Sequence, residues 1–135
     1  EIPFIAGLTP DFLQHFQMRY ADGMPPFSGS EVPDFSGYMG FRTPPQAMST
    51  AALIALVDTW PPSVLPMLKK PAPASSLTWT MELLDDPRSR PADTLWQYRV
   101  KTDHSSDGYG QSQATIWDGE GKAVALSRQT FTVFA

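Results

Sequence analysis

The sequence contains no cysteine and two histidines among its 135 residues. Without cysteine the chain forms no disulfide, offers no thiol nucleophile and gives no indication of its redox compartment. Two histidines without thiolates also argue against a zinc site, because zinc is usually held by sets of cysteine and histidine. We therefore expect no metal and no cofactor.

Charged residues are scarce, at 18% of the chain, and they leave a net charge of −4. Nucleic-acid-binding proteins usually carry a basic stripe, so we expect no nucleic-acid partner. No apolar run approaches the roughly 20 residues that cross a bilayer, which predicts no membrane span. We expect a soluble, cytoplasmic protein.

Common catalytic motifs are missing as well. The sequence has no G-x-S-x-G nucleophile elbow and no glycine-rich phosphate loop. A Ser-His-Asp triad would need His15 or His104 from a distant part of the chain. These absences argue against a serine hydrolase of the usual kind.

The length and the hydrophobic content of 41% fit one domain with a core of its own, which we place at residues 1–135. The chain begins at Glu1, without a methionine or a signal-like segment. The chain is therefore either a processed protein or a piece of a longer one, and we favour the piece.

Prolines separate the predicted elements, and the 14 prolines are about twice the average usage. The alternation of Phe16, Met18 and Tyr20 predicts a strand within residues 11–20, and a second strand is predicted at 35–42. After one helix, alternating patterns predict four consecutive strands, which imply an antiparallel meander. These strands cover residues 75–84, 94–103, 109–117 and 122–134.

The predicted helix contains the apolar run 51–57. Thr43 and Gln46 match a capping box, although the helix could also begin at Ser49. The prolines that follow Trp60 end it at about that residue. Because apolar side chains occupy every side of this helix, we expect something to wrap it on most sides.

Asp58 stands at the end of this apolar run, in the last turn of the predicted helix. Both the negative end of the helix dipole and burial disfavour a carboxylate there, so we expect a raised pKa. A carboxylate made more basic is suited to general-base catalysis. The alternative is a structural aspartate that bonds backbone groups where the chain turns.

Two short strands, one central helix and four antiparallel strands describe an α+β arrangement in which a curved sheet wraps a single helix. This is the architecture of a hotdog fold. The chain also resembles the second half of a double-hotdog acyl-CoA thioesterase of the type II or thioesterase-like superfamily. The resemblance covers nearly the whole chain and is carried by residues 18–20, 51–58, 75–81, 119–125 and 127–131.

The resemblance implies hydrolysis of fatty or aryl acyl-CoA thioesters, with coenzyme A as part of the substrate and not a cofactor. By position, Asp58, Ser76 and Gln129 match the family residues that bind and activate the hydrolytic water. Thr78, which stands where better-studied members carry an acidic residue, is the fourth catalytic candidate. Coenzyme A would be held by scattered basic residues, for which Arg88, Arg90, Lys101 and Arg128 are candidates.

Regular alternation in the strand at 75–84 places Ser76 and Thr78 on one face, and Trp79 on the other. In the last strand it places Gln129 in a row of mostly small or apolar side chains. Without the resemblance, Gln129 would be interpreted as an interior glutamine bonded to the backbone, and both hydroxyl residues as ordinary strand residues.

A hotdog sheet by itself leaves edges exposed, so we expect packing against an N-terminal hotdog half or identical copies, and a homo-oligomer. The main alternative function is a non-catalytic half that only packs within a double-hotdog assembly. A β-sandwich that binds carbohydrate or protein through exposed tryptophans fits poorly with the apolar helix.

Overall fold

Six strands and one helix form the protein, and a computed structural model describes residues 1–134. The strands are β1 (Phe16–Asp22), β2 (Phe35–Phe41), β3 (Ala74–Leu83), β4 (Trp96–Ser106), β5 (Tyr109–Trp117) and β6 (Ala123–Val133), and the helix is α1 (Thr50–Val57). Short 3-10 turns occupy Asp11–His15, Leu65–Met67 and Pro87–Ser89. The predicted α+β content and the order of the elements are confirmed.

The strands form one antiparallel sheet in the order β1-β2-β4-β5-β6-β3. The predicted meander is therefore right for β4, β5 and β6 and wrong for β3. Strand β3 pairs with β6 at the far edge of the sheet, not with β4, its neighbour in sequence. Alternation along a strand specifies which face is buried but not which strand lies alongside, so the pattern could not show this crossover.

Helix α1 begins at the second of the two predicted positions. The Ser49 hydroxyl accepts a hydrogen bond from the Ala52 amide at 3.0 Å and caps the helix. The proposed capping box at Thr43 is wrong, because its prolines lie in an irregular segment before the helix. At the other end, the helix stops at Val57 and Asp58 is its C-cap.

The core lies between α1 and the inner face of the sheet. Leu53, Leu56 and Val57 of the helix are buried in one cluster with Ile116 of β5 and Ala125 of β6. The opposite face of the helix stays open, and Ile54 on it is 38% exposed. The expectation that something wraps the helix on most sides is therefore confirmed only for the side that faces the sheet. Its apolar outer face remains for another surface to cover.

Trp60 fixes the chain where it leaves the helix. Its ring stacks on Tyr98 with centroids 5.1 Å apart and an interplanar angle of 11°. The indole nitrogen donates to the Met39 sulfur at 3.0 Å. Gly37 leaves room for this ring, because a Cβ atom there would lie 2.6 Å from a Trp60 ring carbon. The position of Asp58, two residues before Trp60, thus depends on a tightly packed aromatic anchor.

An ion-pair network holds the crossover that leads from β3 to β4. Arg90 in that connection is 3.0 Å from Asp85 and 3.1 Å from Asp118. Asp118 also accepts hydrogen bonds from the backbone amides of Glu120 and Lys122 in the turn between β5 and β6. These backbone hydrogen bonds, from Lys122 above all, hold the pKa of Asp118 below its usual range. The crossover is thereby attached to the β5–β6 turn.

We expect Gly37→Ala to destabilise the protein by about 2 kcal/mol or more, because the new methyl group overpacks the Trp60 site. A Cβ atom at Gly37 would also lie 2.2 Å from the backbone oxygen of Arg19. Urea denaturation measures the loss. Gly119→Ala is the matched control, since the nearest atom to its Cβ would be 3.5 Å away. Equal stability of the two variants would show that the anchor is loosely packed.

Candidate functional site

A β-bulge in β3 decides which side chains face the core. Ser76 pairs with Phe131 and Thr78 pairs with Thr130, so Leu77 is an extra residue on β3. Successive residues of β6 point to opposite faces, and their partners do the same. Ser76 therefore lies on the face opposite to Thr78. The prediction that these two hydroxyls share a face is wrong, because regular alternation does not hold across a bulge.

Ser76 and Gln129 contact each other directly. The Gln129 side-chain nitrogen donates to the Ser76 hydroxyl oxygen at 2.5 Å, across 53 positions of sequence. Gln129 lies on the inner face of the sheet, because it pairs with Ser112 in the same alternating row as the buried residues Ala114 and Ile116. Two of the predicted site residues are thus brought together. The interpretation of Gln129 as a glutamine bonded to the backbone does not describe its contact with Ser76.

Gln129 is part of a polar row that crosses the inner face from strand to strand. Thr102 pairs with Ser112, and Ser112 pairs with Gln129. The Ser63 hydroxyl, from the segment after the helix, lies 2.7 Å from the Thr102 hydroxyl. Sequence reasoning missed Ser63, Thr102 and Ser112. The signal available for Thr102 and Ser112 was a polar residue at an inward position of an otherwise apolar strand pattern.

Asp58 presents a free carboxylate at the end of α1. Its backbone amide donates to the Ile54 carbonyl at 3.1 Å, which completes the helix. The side chain that bonds to this helix end is that of Thr59, whose hydroxyl donates a hydrogen bond to the Leu56 carbonyl oxygen at 2.6 Å. Within residues 1–134 the Asp58 carboxylate makes no hydrogen bond and no ion pair. The alternative of a structural aspartate that bonds the backbone is therefore not supported.

The surroundings of Asp58 change its acidity as expected. The side chain is exposed, yet the neighbouring protein atoms remove enough water for desolvation to raise the pKa of its carboxyl above the ordinary value of 3.8. No cation compensates this effect within the described part of the chain. The carboxylate is consequently more basic than a typical surface aspartate.

The segment that follows Asp58 reaches the polar row. Ser63 lies five positions after Asp58, and its hydrogen bond to Thr102 attaches this segment to the sheet. Thr102 and Gln129 are separated by one strand, which corresponds to about 10 Å at the usual strand spacing. The segment that carries Asp58 is therefore attached to the same row as Gln129.

The four candidate basic residues fall into two groups. Arg88 is paired with Asp86 at 2.8 Å, and Arg90 belongs to the network at the crossover. Lys101 and Arg128 are exposed and carry no ion pair within residues 1–134. They lie on neighbouring strands of one row, with Gln113 between them. Of the four, Lys101 and Arg128 carry charge that is not engaged in an ion pair, but their row lies on the outer face of the sheet, opposite to Ser76 and Gln129.

Residues 1–134 show neither a candidate metal centre nor a membrane-spanning helix. No group of three or more histidine and acidic side chains there could hold a metal ion. No helix in that part of the chain has the length and apolar character needed to cross a membrane.

Comparison with known proteins gives a consistent result. A family model described as "Acyl-CoA thioesterase C-terminal domain" matches residues 1–133. A search of curated proteins gives no match. Among solved structures, a conserved protein of unknown function with a hot dog fold from Alicyclobacillus acidocaldarius is similar over 100% of this chain, with 25% identity and a TM-score of 0.84. The predicted hotdog fold is thereby confirmed.

Two further structures share the fold. A putative thioesterase II from Thermobifida fusca is similar over 95% of this chain, with 24% identity and a TM-score of 0.71. An acyl-CoA thioesterase II from Mycobacterium marinum is similar over 98%, with 16% identity and a TM-score of 0.66. This chain covers 54%, 50% and 54% of the lengths of these three proteins. It spans about half of each.

We expect Asp58→Asn to stabilise the fold at neutral pH, because the raised pKa means that the charged form is disfavoured in the folded state. The unfolded chain loses this proton near 3.8 and the folded chain loses it at higher pH. The advantage of the variant should therefore appear as pH rises above 3.8 and vanish at lower pH. Urea midpoints of both proteins across this range measure it. A variant that is less stable at neutral pH would contradict the assignment.

Proposed function

The chain belongs to the family of acyl-CoA thioesterase C-terminal domains, and we propose that it hydrolyses fatty or aryl acyl-CoA thioesters through water activated by Asp58. The observation that carries the proposal is the contact between Gln129 and Ser76 on the inner face, together with the unpaired Asp58 carboxylate. The products would be the free acid and coenzyme A. No covalent enzyme intermediate is required.

The direction of the Gln129–Ser76 hydrogen bond supports a role in holding water. The Ser76 oxygen accepts from Gln129, which leaves the serine proton free to donate to a water oxygen. The Asp58 carboxylate then accepts a proton from that water as its oxygen attacks the thioester carbon. When the carbon–sulfur bond breaks, the same proton can pass to the leaving thiolate. The general base returns to its charged form in each cycle.

Thr78 lies on the opposite face of the sheet from Ser76 and Gln129. Its side chain lies on the outer face of the sheet, away from the Ser76 hydroxyl and Gln129. We therefore leave Thr78 out of the proposed water-binding set. The strand separates a side chain on that face from the proposed water.

We expect Asp58→Asn to lower the turnover of acyl-CoA by about 10²- to 10⁴-fold, the usual span for removal of a general base. Coenzyme A release from short, medium and long acyl-CoAs measures this change. Asp103→Asn is the matched control, because Asp103 is also exposed but lies in β4. The role of Asp58 is disproved if its variant and the control have the same activity as the unmodified protein.

The proposed enzyme also needs a second hotdog unit, and β3 is the edge that we propose for it. Strand β3 lies at the end of the sheet and is exposed along nearly its whole length. Leu77 in the bulge is 52% exposed. Unpaired edges of this length normally find a partner strand or a covering surface. An N-terminal hotdog half or an identical copy would satisfy this requirement, and the non-catalytic alternative would use the same edge.

We expect Leu77→Lys to raise the dissociation constant of a self-assembled dimer at least about tenfold, which corresponds to about 1.4 kcal/mol. The charge would be buried at the new interface but costs little in the monomer, where Leu77 is already exposed. Light scattering after size-exclusion chromatography measures the mass. Val32→Lys is the control, since Val32 is exposed in the loop between β1 and β2, which lie at the opposite end of the sheet from β3. A dimer unaffected by Leu77→Lys would place the interface elsewhere.

A further inference from the structure

The outer face of the sheet carries a basic patch, formed by Arg99 and Lys101 on β4 and Arg128 on β6. Each of them lies between two inward-facing residues of its strand, so all three point to the outer face. They are exposed, and within residues 1–134 their side chains form no ion pair and no hydrogen bond. The acidic residues of the same rows, Asp22 and Glu82, lie on the two edge strands. The patch therefore keeps its positive charge, in a chain whose net charge is −4.

Carboxylates with free charge lie at one end of the same face. Asp93 in the crossover and Glu120 in the β5–β6 turn line a groove of about 860 Å³, whose wall on the sheet includes Tyr38 and Gln97. Both carboxylates are exposed and form no ion pair within the described part of the chain. The other two acidic residues of the groove are paired in the network at the crossover. The groove is therefore acidic.

An aromatic row separates the groove from the basic patch. Tyr38, Gln97 and Trp117 are successive partners on β2, β4 and β5, and all three point to the outer face. Arg19 extends this row at the edge, on β1. Along the strands, the outer face thus changes from acidic through aromatic to basic. A surface with this order of charges is complementary to a copy of itself that is turned end to end.

We propose that the outer face binds a second copy of this chain about a twofold axis that runs along the aromatic row. Rotation about this axis reverses the direction of the strands and leaves each strand opposite its own copy. Arg99 then faces Asp93 of the second copy, because Asp93 precedes the start of β4. Arg128 faces Glu120 of the second copy, because Glu120 precedes the start of β6. Each pair occurs twice in the dimer.

The order of the charges favours a second copy over a uniformly anionic partner. A lipid surface or a nucleic acid that contacts Arg99 and Arg128 also approaches Asp93 and Glu120 on the same face, which repel it. A second copy presents the opposite sign at each position. The two aromatic rows meet at the centre of the contact, where tyrosine and tryptophan commonly contribute most of the binding energy.

This contact is separate from the interface proposed at β3. It uses the outer face of the central strands, whereas the β3 interface uses the edge of the sheet. Ser76 and Gln129 lie on the inner face and stay accessible in the dimer. The inference therefore does not depend on the proposed reaction.

The experiment measures the dissociation constant of self-association by sedimentation equilibrium, with Leu77→Lys present in every protein so that the β3 edge does not contribute. Arg128→Glu or Glu120→Arg should each raise this constant at least about tenfold, because each change places two pairs of like charges in the contact. The double variant restores opposite charges and should return to within about threefold of the starting value. Glu31→Arg is the matched control. It makes the same charge change in the β1–β2 loop, where the neighbouring Ser30 bonds to the segment after the helix.

Salt gives a second measurement of the same contact. Raising the ionic strength from about 0.1 M to about 1 M shortens the screening length from about 10 Å to about 3 Å. We expect the dissociation constant to rise over this range, and to rise less in the Arg128→Glu variant.

Three results would overturn the inference. They are a protein that stays monomeric with Leu77→Lys, single variants that leave the dissociation constant unchanged, and a double variant that shows no recovery. Vesicles of phosphatidylcholine and phosphatidylglycerol test the other occupant. Binding to these vesicles that Arg128→Glu abolishes, in a protein that does not associate with itself, would assign the basic patch to an anionic lipid surface instead.

Discussion

The antiparallel pairing of β3 with β6 is the constraint on which the rest of this structure depends. It joins Ser76 to Gln129 across 53 positions of sequence, which no local element could do. It also leaves β3 as an open edge and places the bulge beside the candidate site. If β3 paired with β4, as neighbours in sequence commonly do, none of these three features would arise.

This pairing needs further stabilisation, because the connection from β3 to β4 must be ordered and β3 is hydrogen-bonded to a strand on one side only. The support comes from the crossover itself. Arg90 bridges Asp85, near the end of β3, and Asp118, at the turn that leads into β6. Asp118 is 5% exposed and is fully engaged by Arg90 and two backbone amides. A buried pair of this kind adds little net stability but strongly disfavours arrangements that would leave one charge unpaired. It therefore specifies where the crossover lies.

The sequence predicted most of the fold because the signals it uses are local. Alternation located the strands within a few residues, and the apolar run located α1. The predicted hotdog architecture is confirmed, and the family resemblance agrees with the matching family model. The position of β3 and the bulge at Leu77 could not be predicted, since both depend on pairing between distant segments. That bulge is the reason why Ser76, and not Leu77, joins the inner face.

The candidate site was predicted to a different extent for each residue. Asp58 was predicted because a carboxylate is unfavourable at the end of an apolar helix, and its raised pKa agrees with that reasoning. Ser76 and Gln129 came from the resemblance and do contact each other, whereas the shared face with Thr78 was wrong. Ser63, Thr102 and Ser112 were missed. Hydroxyl residues are common in strands for structural reasons, so a polar row becomes visible only when the register of the sheet is known.

The distribution of unfavourable features bears on the choice between an enzyme and a packing half. Desolvation disfavours the unpaired carboxylate of Asp58, and Leu77 and Trp79 leave apolar surface exposed. A packing surface would account for exposed apolar groups, because a partner would bury them. It would not account for Asp58, since burial under a partner would desolvate its charge further. A carboxylate in such a place supports the proposed reaction, which uses its basicity, because local conflicts of this kind occur mainly at functional sites.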